Sequence, residues 1–268
     1  KREKELFHSQ KGITHIKTLS LQLMKKVLLL VCLGFLCSFQ IPNRYESVKN
    51  VPVKEGIFTT DNMGNVFWAG VNGDLIKYNR NGDSLTMQNY KQYGALESID
   101  ASNPFEIYLY YKGLNKVLLV DNQLAKRSEY DLKNLDLENI SAIARSADNG
   151  LWVYDLSTNR LKKFSNTKEY VLESVAVNFY AENIISPFQI LDKQNQIYLC
   201  DSTEGIFVFD NFGTFHKRLE IKTNKPIQIV GDQLLYAQDS VYKKYNLKLF
   251  KEKNLPIQPG SDFVRWEK

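Results

Sequence analysis

Few side chains of this chain are suited to act as nucleophiles, bases or metal ligands. Its 268 residues include three histidines, and His8 and His15 both lie upstream of Met24, which leaves His216. A zinc site needs several imidazole or thiolate ligands at fitting spacing, and a Ser- or Cys-centred hydrolase needs a base beside its nucleophile. His216, flanked by Phe215 and Lys217, reads as part of an outer strand. Cys200, in Ile197-Tyr198-Leu199-Cys200-Asp201, reads as a buried thiol within a strand, with no His partner near it in sequence. The chain has no Gly-x-Ser-x-Gly elbow, and neither Gly-x-x-x-x-Gly-Lys nor Gly-x-Gly-x-x-Gly to cradle phosphates, so no cofactor is implied. Recognition remains. Tyr90 with Tyr93, Tyr110-Tyr111 and Phe179-Tyr180 fall between the apolar runs, where they would line one rim and anchor a protein or glycan partner; packing between sheets is the alternative. The long connection Glu173–Ser186 is the expected partner-binding loop, because long loops on a rigid scaffold carry function.

The elements that would position these residues repeat. Gly64-Asn65-Val66-Phe67-Trp68 leads into Asp74-Leu75-Ile76-Lys77-Tyr78-Asn79, and the plan recurs at Ile107, Leu151, Ile197 and Leu234, at steps of 41, 44, 46 and 37 residues from Val66 onward. Each unit opens on a short apolar strand: Gly56-Ile57-Phe58, Ser98-Ile99, Ala142-Ile143-Ala144, Gln189-Ile190-Leu191 and Gln228-Ile229-Val230. Ser84–Met87, Ser128–Tyr130 and His216–Ile221 supply polar outer strands. A period near 42 with four strands per unit is that of a propeller blade, and radial stacking buries both faces of a sheet that would otherwise leave one wet. The expected fold is all-β: a β-propeller of four-stranded antiparallel blades, with five complete repeats visible. Asp262-Phe263-Val264-Arg265-Trp266 reads as the first strand of a sixth, incomplete blade; pairing of Tyr45–Val48 with this tail is the alternative closure.

Charge is concentrated at the N-terminus. Of 35 basic and 30 acidic residues, residues 1–39 hold seven and two, leaving 28 of each. A balanced surface lacks the clustered positive charge that tracks phosphates, so nucleic acid is not an expected partner. Met24-Lys25-Lys26 followed by the ten apolar residues Val27–Leu36 reads as a secretory signal peptide; the run is shorter than the roughly 20 residues of a membrane span. The expected division is a non-native upstream extension at 1–23 outside the working protein, a signal peptide at 24–39 and a propeller domain at 40–268, with a periplasmic or outer-membrane-associated location. Cys37 is a candidate lipid acceptor, although Leu36 stands where a lipobox has a small residue.

Asp61-Asn62-Met63-Gly64-Asn65-Val66-Phe67-Trp68 and Ala147-Asp148-Asn149-Gly150-Leu151-Trp152-Val153 resemble the blades of bacterial periplasmic propellers of the NHL, SMP-30 and two-component-regulator type. The resemblance spans residues 54 to 250; the second and fifth blades lack the turn Gly. It implies architecture more than activity. A lactonase of the SMP-30 kind would hold a divalent metal in the central channel, and Asp100, Asp121, Asp155, Asp192, Asp201, Asp210 and Asp239, at strand ends, are candidate ligands or simple turn caps. Asp83-Ser84-Leu85, Asp201-Ser202-Thr203 and Asp239-Ser240-Val241 resemble the Asp-Ser/Thr-apolar O-glycosylation site of exported proteins in one group of Gram-negative bacteria, with turn chemistry as the other reading. The function expected is a non-enzymatic envelope binding or scaffold protein; the alternative is a metal-dependent hydrolase or lactonase working in the channel.

Overall fold

The computed structural model describes residues 49–255, which form five four-stranded antiparallel sheets, each in sequence order. Blade 1 comprises β1 (Gly56–Thr60), β2 (Val66–Gly70), β3 (Asp74–Tyr78) and β4 (Ser84–Asn89). Blade 2 comprises β5 (Ser98–Asp100), β6 (Ile107–Tyr111), β7 (Lys116–Val120) and β8 (Lys126–Asp131). Blade 3 has β9 (Ile140–Arg145), β10 (Leu151–Asp155), β11 (Arg160–Phe164) and β12 (Tyr170–Glu173). Blade 4 has β13 (Gln189–Lys193), β14 (Gln196–Asp201), β15 (Gly205–Asp210) and β16 (Phe215–Leu219), and blade 5 has β17 (Gln228–Val230), β18 (Gln233–Gln238), β19 (Val241–Asn246) and β20 (Lys251–Asn254). First strands of successive blades approach one another, β1 with β5 and β9 with β13, so they are innermost. The fourth strands are the most exposed, as edges open to water should be. These are the blades of a β-propeller. The signal peptide, Cys37, Tyr45–Val48 and the tail Asp262–Trp266 lie outside the described residues.

A repeated turn sets the register. In four blades the pairing of third and fourth strands shifts by one residue just before the turn, between Lys77 and Tyr78, Leu119 and Val120, Lys163 and Phe164, and Val208 and Phe209. The turn then opens on an Asx or Ser side chain that caps its own backbone. Asp121 Oδ1 accepts from the N–H groups of Gln123 and Ala125, both at 2.9 Å, and Asp210 Oδ1 accepts from Phe212 at 2.9 Å and Thr214 at 2.8 Å. Asn79 and Asn246 open their turns in the same way. The turns between first and second strands vary more. Gly64 takes φ +81° in blade 1, whereas in blade 3 the left-handed position falls on Asn149. Contrary to the sequence reading, the fifth blade has kept a turn glycine: Gly231 sits between β17 and β18 at φ +56°, hidden from the motif because Asp232-Gln233 replace the usual Asn.

Four separate hydrophobic cores lie between successive blades. The first packs Phe67, Ala69 and Leu75 of blade 1 against Ile107, Leu109, Leu118 and Val120 of blade 2. The second joins Tyr108, Tyr110 and Leu119 to Leu151, Val153 and Phe164 of blade 3. The third joins Trp152, Tyr154 and Leu161 to Ile197, Leu199, Phe207 and Phe209 of blade 4, and the fourth joins Tyr198, Ile206 and Val208 to Leu234 and Tyr236 of blade 5. Each blade thus has a forward face turned to the next blade and a back face turned to the one before. Burial of each large apolar side chain contributes about 1.5–3 kcal/mol, so these interfaces carry most of the stabilisation. Polar stitches add direction. Asp192 Oδ2 of blade 4 accepts from the Ala147 N–H at 2.9 Å and Trp152 Nε1 at 3.1 Å in blade 3, and Asp100 Oδ2 of blade 2 accepts from the Arg145 N–H at 2.7 Å.

Candidate functional site

Three of the six aromatic residues expected on a rim are instead in the cores. Tyr110 is fully buried and its hydroxyl donates to the Ile140 carbonyl at 3.0 Å; Tyr111 is buried beside Tyr93, their ring centroids 5.2 Å apart. Tyr90 is buried and donates to the Leu124 carbonyl at 2.6 Å. The physical reason is that both faces of a blade are covered, so consecutive tyrosines in β6 go to opposite faces and each still meets a neighbouring blade. Tyr93 is half-buried, its hydroxyl accepting from Lys126 Nζ at 2.9 Å. Burial pushes the phenols of Tyr90, Tyr110 and Tyr111 above their ordinary pKa, in keeping with a packing role.

Phe179 and Tyr180 are placed differently. They lie on the connection between Glu173 and Gln189, the longest between described strands, which is fastened at many points. The Ser174 N–H donates to the Leu161 carbonyl at 2.8 Å, and the Val177 N–H to that of Asn159 at 2.7 Å. Val177 and Ile185 are fully buried, and the Tyr180 ring stacks on Phe215 at 3.9 Å with an 11° tilt. Two buried carboxylates hold the far half. Glu204 accepts from the Glu182 N–H at 3.0 Å and Asn183 Nδ2 at 2.6 Å, with Arg218 Nη1 at 2.9 Å behind it, and Asp201 Oδ2 accepts from the Ser186 N–H at 2.7 Å. The Asn183 bond, then the Glu182 N–H, hold the Glu204 carboxyl below its ordinary pKa. For Asp201, burial works to raise the pKa, but the N–H groups of Glu204, Thr203 and Ser186 and the Thr203 hydroxyl outweigh it and the net direction is down.

On this anchored backbone Val175, Phe179 and Ile184 point outward, Phe179 at 77% and Ile184 at 90% exposure. Exposed apolar side chains mark an interaction site where they form a patch, and these three are the large apolar side chains that this loop leaves in water. Val175 and Ile184 were not singled out from the sequence. The doublet Ile184-Ile185 was the available signal, since in an extended segment only one of two neighbours can turn inward.

Six of the seven strand-end aspartates accept from backbone N–H groups, Asp192 from Ala147 as above. Asp100 accepts from the Ser102 N–H, Asp155 from Ser157, Asp201 from Thr203 and Glu204, and Asp121 and Asp210 cap the turns described above; Asp239 sits in a turn at φ +50°. Among the described residues no three acidic, His or Cys side chains are grouped to hold a metal ion. Cys200 is completely buried, and burial pushes its thiol pKa up. His216 is exposed on β16, with Nε2 3.7 Å from Asp210 Oδ2. Ser84, Ser202 and Ser240 are all exposed at or beside turns. The aspartate before Ser202 is buried and used by its turn, whereas Asp239, before Ser240, is exposed. Among the described residues no helix is long and apolar enough to cross a membrane.

No protein-family model and no curated protein matches the chain. Solved structures do match in fold. A streptogramin B lyase aligns with a TM-score of 0.55 at 16% identity, over 76% of this chain and 69% of that one. A catalytically inactive virginiamycin B lyase from Staphylococcus aureus with quinupristin aligns at 0.53 and 16%, over 76% and 70%. The Neurospora crassa Pan2 WD40 domain aligns at 0.54 and 11%, over 75% of this chain and 65% of its own length. At these identities the likeness is one of architecture: the chain is similar to propellers that include lyases and a WD40 domain alike.

Proposed function

We propose that this chain is a non-enzymatic binding protein of the bacterial cell envelope, exported by its N-terminal signal and docking a protein partner on the loop between blades 3 and 4. The observation that carries the reading is the contrast within that loop: Val177, Tyr180 and Ile185 fasten it while Phe179 and Ile184 stand in water. A pre-ordered apolar loop saves the ordering cost that weakens flexible binders. Aliphatic Val175 and Ile184 on the same loop as Phe179 suit a protein surface better than a glycan, which gains from stacking on rings. Lyases among the fold neighbours attest that propellers support chemistry, and fold alone assigns none.

Two measurements test this. Immobilised protein is presented to detergent-solubilised envelope, and capture is compared with that of a Phe179→Ala, Ile184→Asp double variant and a Val171→Asp control. The expected outcome is a defined partner held by the wild type and the control and retained at least tenfold less by the double variant. Equal capture by all three removes the loop from the account. Elemental analysis with calcium-dependent thermal shift supplies the second: a stoichiometric metal that raises Tm would sink the non-enzymatic reading and turn attention to lactone and phosphoester substrates.

A further inference from the structure

The back face of blade 1 has the build of a blade interface, yet among the described residues no blade precedes it. Its second and third strands present Val66, Trp68, Ile76 and Tyr78, all half-buried, at the positions where blade 2 has Ile107, Leu109, Leu118 and Val120, all at 0% exposure. A cavity of about 240 Å³ opens on this face, lined by Val51, Val53, Phe58, Val66, Trp68 and Tyr78. Its edge is the turn Asn79–Gly82. In blades 2, 3 and 5 the equivalent turn touches the outer strand of the blade before: Thr86 Oγ1 donates to the Gln123 carbonyl at 3.2 Å, the Tyr130 hydroxyl to that of Ser165 at 3.0 Å, and Lys217 Nζ lies 5.2 Å from the Phe250 ring centroid. The cavity therefore occupies the seat of a neighbouring structural element. It is smaller than the roughly 300–1,000 Å³ of small-molecule sites and its walls are apolar, which suits packed side chains.

The chain's own spacing names the occupant. From the last residue of a fourth strand to the first of the next blade the step is nine residues three times over: Asn89 to Ser98, Asp131 to Ile140 and Leu219 to Gln228. Nine residues beyond Asn254, where β20 ends, stands Phe263, the start of Phe263-Val264-Arg265-Trp266. Alternation places Val264 and Trp266 on one side of an extended segment and Phe263 on the other. Two apolar faces fit such a segment. Leu235 and Ala237, on the side of blade 5 turned away from blade 4, are buried but belong to none of the four cores.

We propose that Phe263–Trp266 seats as a sixth inner segment between β17 and β1, with Val264 and Trp266 against the back face of blade 1 and Phe263 against blade 5, so that the chain covers its own open face. A photo-crosslinking phenylalanine analogue at Phe58, in the full chain, tests this directly. Irradiation is expected to yield a monomeric product whose linked peptides join β1 to residues 256–268. Links to residues upstream of 47, a cross-linked dimer or no link at all would each overturn the proposal, the dimer assigning the face to a second copy. In parallel, the full-chain variant Val264→Asp, Trp266→Asp is expected to speed amide exchange at least tenfold in Val66–Gly70 while leaving Gln196–Asp201 unchanged; unaltered exchange in Val66–Gly70 would refute the seating. If that variant unfolds as a whole, the cross-link alone decides.

Discussion

The back faces of blades 1 and 4 both carry large apolar or aromatic side chains and differ in burial. Ile197, Leu199, Phe207 and Phe209 of blade 4 are completely inaccessible, and Val66, Trp68, Ile76 and Tyr78 of blade 1 are half-open. Both sets are large apolar or aromatic side chains, the blade 1 set having the more polar tips in Trp68 and Tyr78; position in the ring adds the rest, because each blade is buried by its neighbours. The molecule behaves as a chain of nearest-neighbour interfaces, four of which are built by described blades.

The largest expected effect follows from that difference. Ile197→Ala removes methyl groups from a closed core and should cost about 2–5 kcal/mol. Val66→Ala, at the equivalent position of blade 1, should cost roughly 1 kcal/mol or less, in line with about 0.8 kcal/mol for each methylene-sized group withdrawn from water. Urea unfolding with unchanged slope measures both. A Val66→Ala cost equal to that of Ile197→Ala would break the comparison and mean that the seated segment covers the back face of blade 1 as thoroughly as a whole blade covers the others.

A middling effect is expected at the polar stitch. Asp192 is the point where blade 4 holds the turn of blade 3, and Trp152, whose indole N–H it accepts, is fully buried. Asp192→Ala leaves that donor without its acceptor in an apolar interface, at a cost of about 1–3 kcal/mol, read as a fall in the urea midpoint. No loss of stability would show that water replaces the carboxylate and that apolar packing alone holds blades 3 and 4 together.

The repeat was legible because turn residues and apolar runs recur together. All five first strands and all five second strands were anticipated, and the capping residues Asn79, Asp121 and Asp210 after the third strands were visible as an aromatic or apolar residue followed by Asx; Asn246 fits the same pattern and was not singled out. Outer strands without apolar residues were not legible: Lys251–Asn254 is polar and exposed throughout, and its pairing with Val241–Asn246 is fixed by the preceding turn. Side-chain direction was lost for a related reason. Alternation distinguishes core from solvent only where one face is wet, so Tyr110-Tyr111, buried on both faces, carried no mark separating it from the outward Phe179. What makes Phe179 and Ile184 a candidate site is the set of bonds from Glu204, Asp201 and Asn159 that fix the loop, contacts distant in sequence that no local pattern announces.

The smallest effect is expected where the open face is held by charge alone. Lys49 Nζ lies 2.7 Å from Asp83 Oδ1, tying the lead-in 49–53 to the turn that edges the cavity, with both side chains substantially exposed. The Lys49 ammonium, then the Asn79 amide, hold the Asp83 carboxyl below its ordinary pKa, but solvent screens such a pair, and exposed ion pairs contribute only about 0–1 kcal/mol. Lys49→Met keeps the aliphatic stem that packs over Gly82, whose missing side chain leaves room for Lys49 Cδ and Cβ, and removes only the charge. The change in urea midpoint should therefore be at the limit of measurement and vanish in high salt. A loss above about 1 kcal/mol that persists at 1 M salt would show that the lead-in is sealed against blade 1 in a dry environment, and the two faces compared above would then differ less than their exposure indicates.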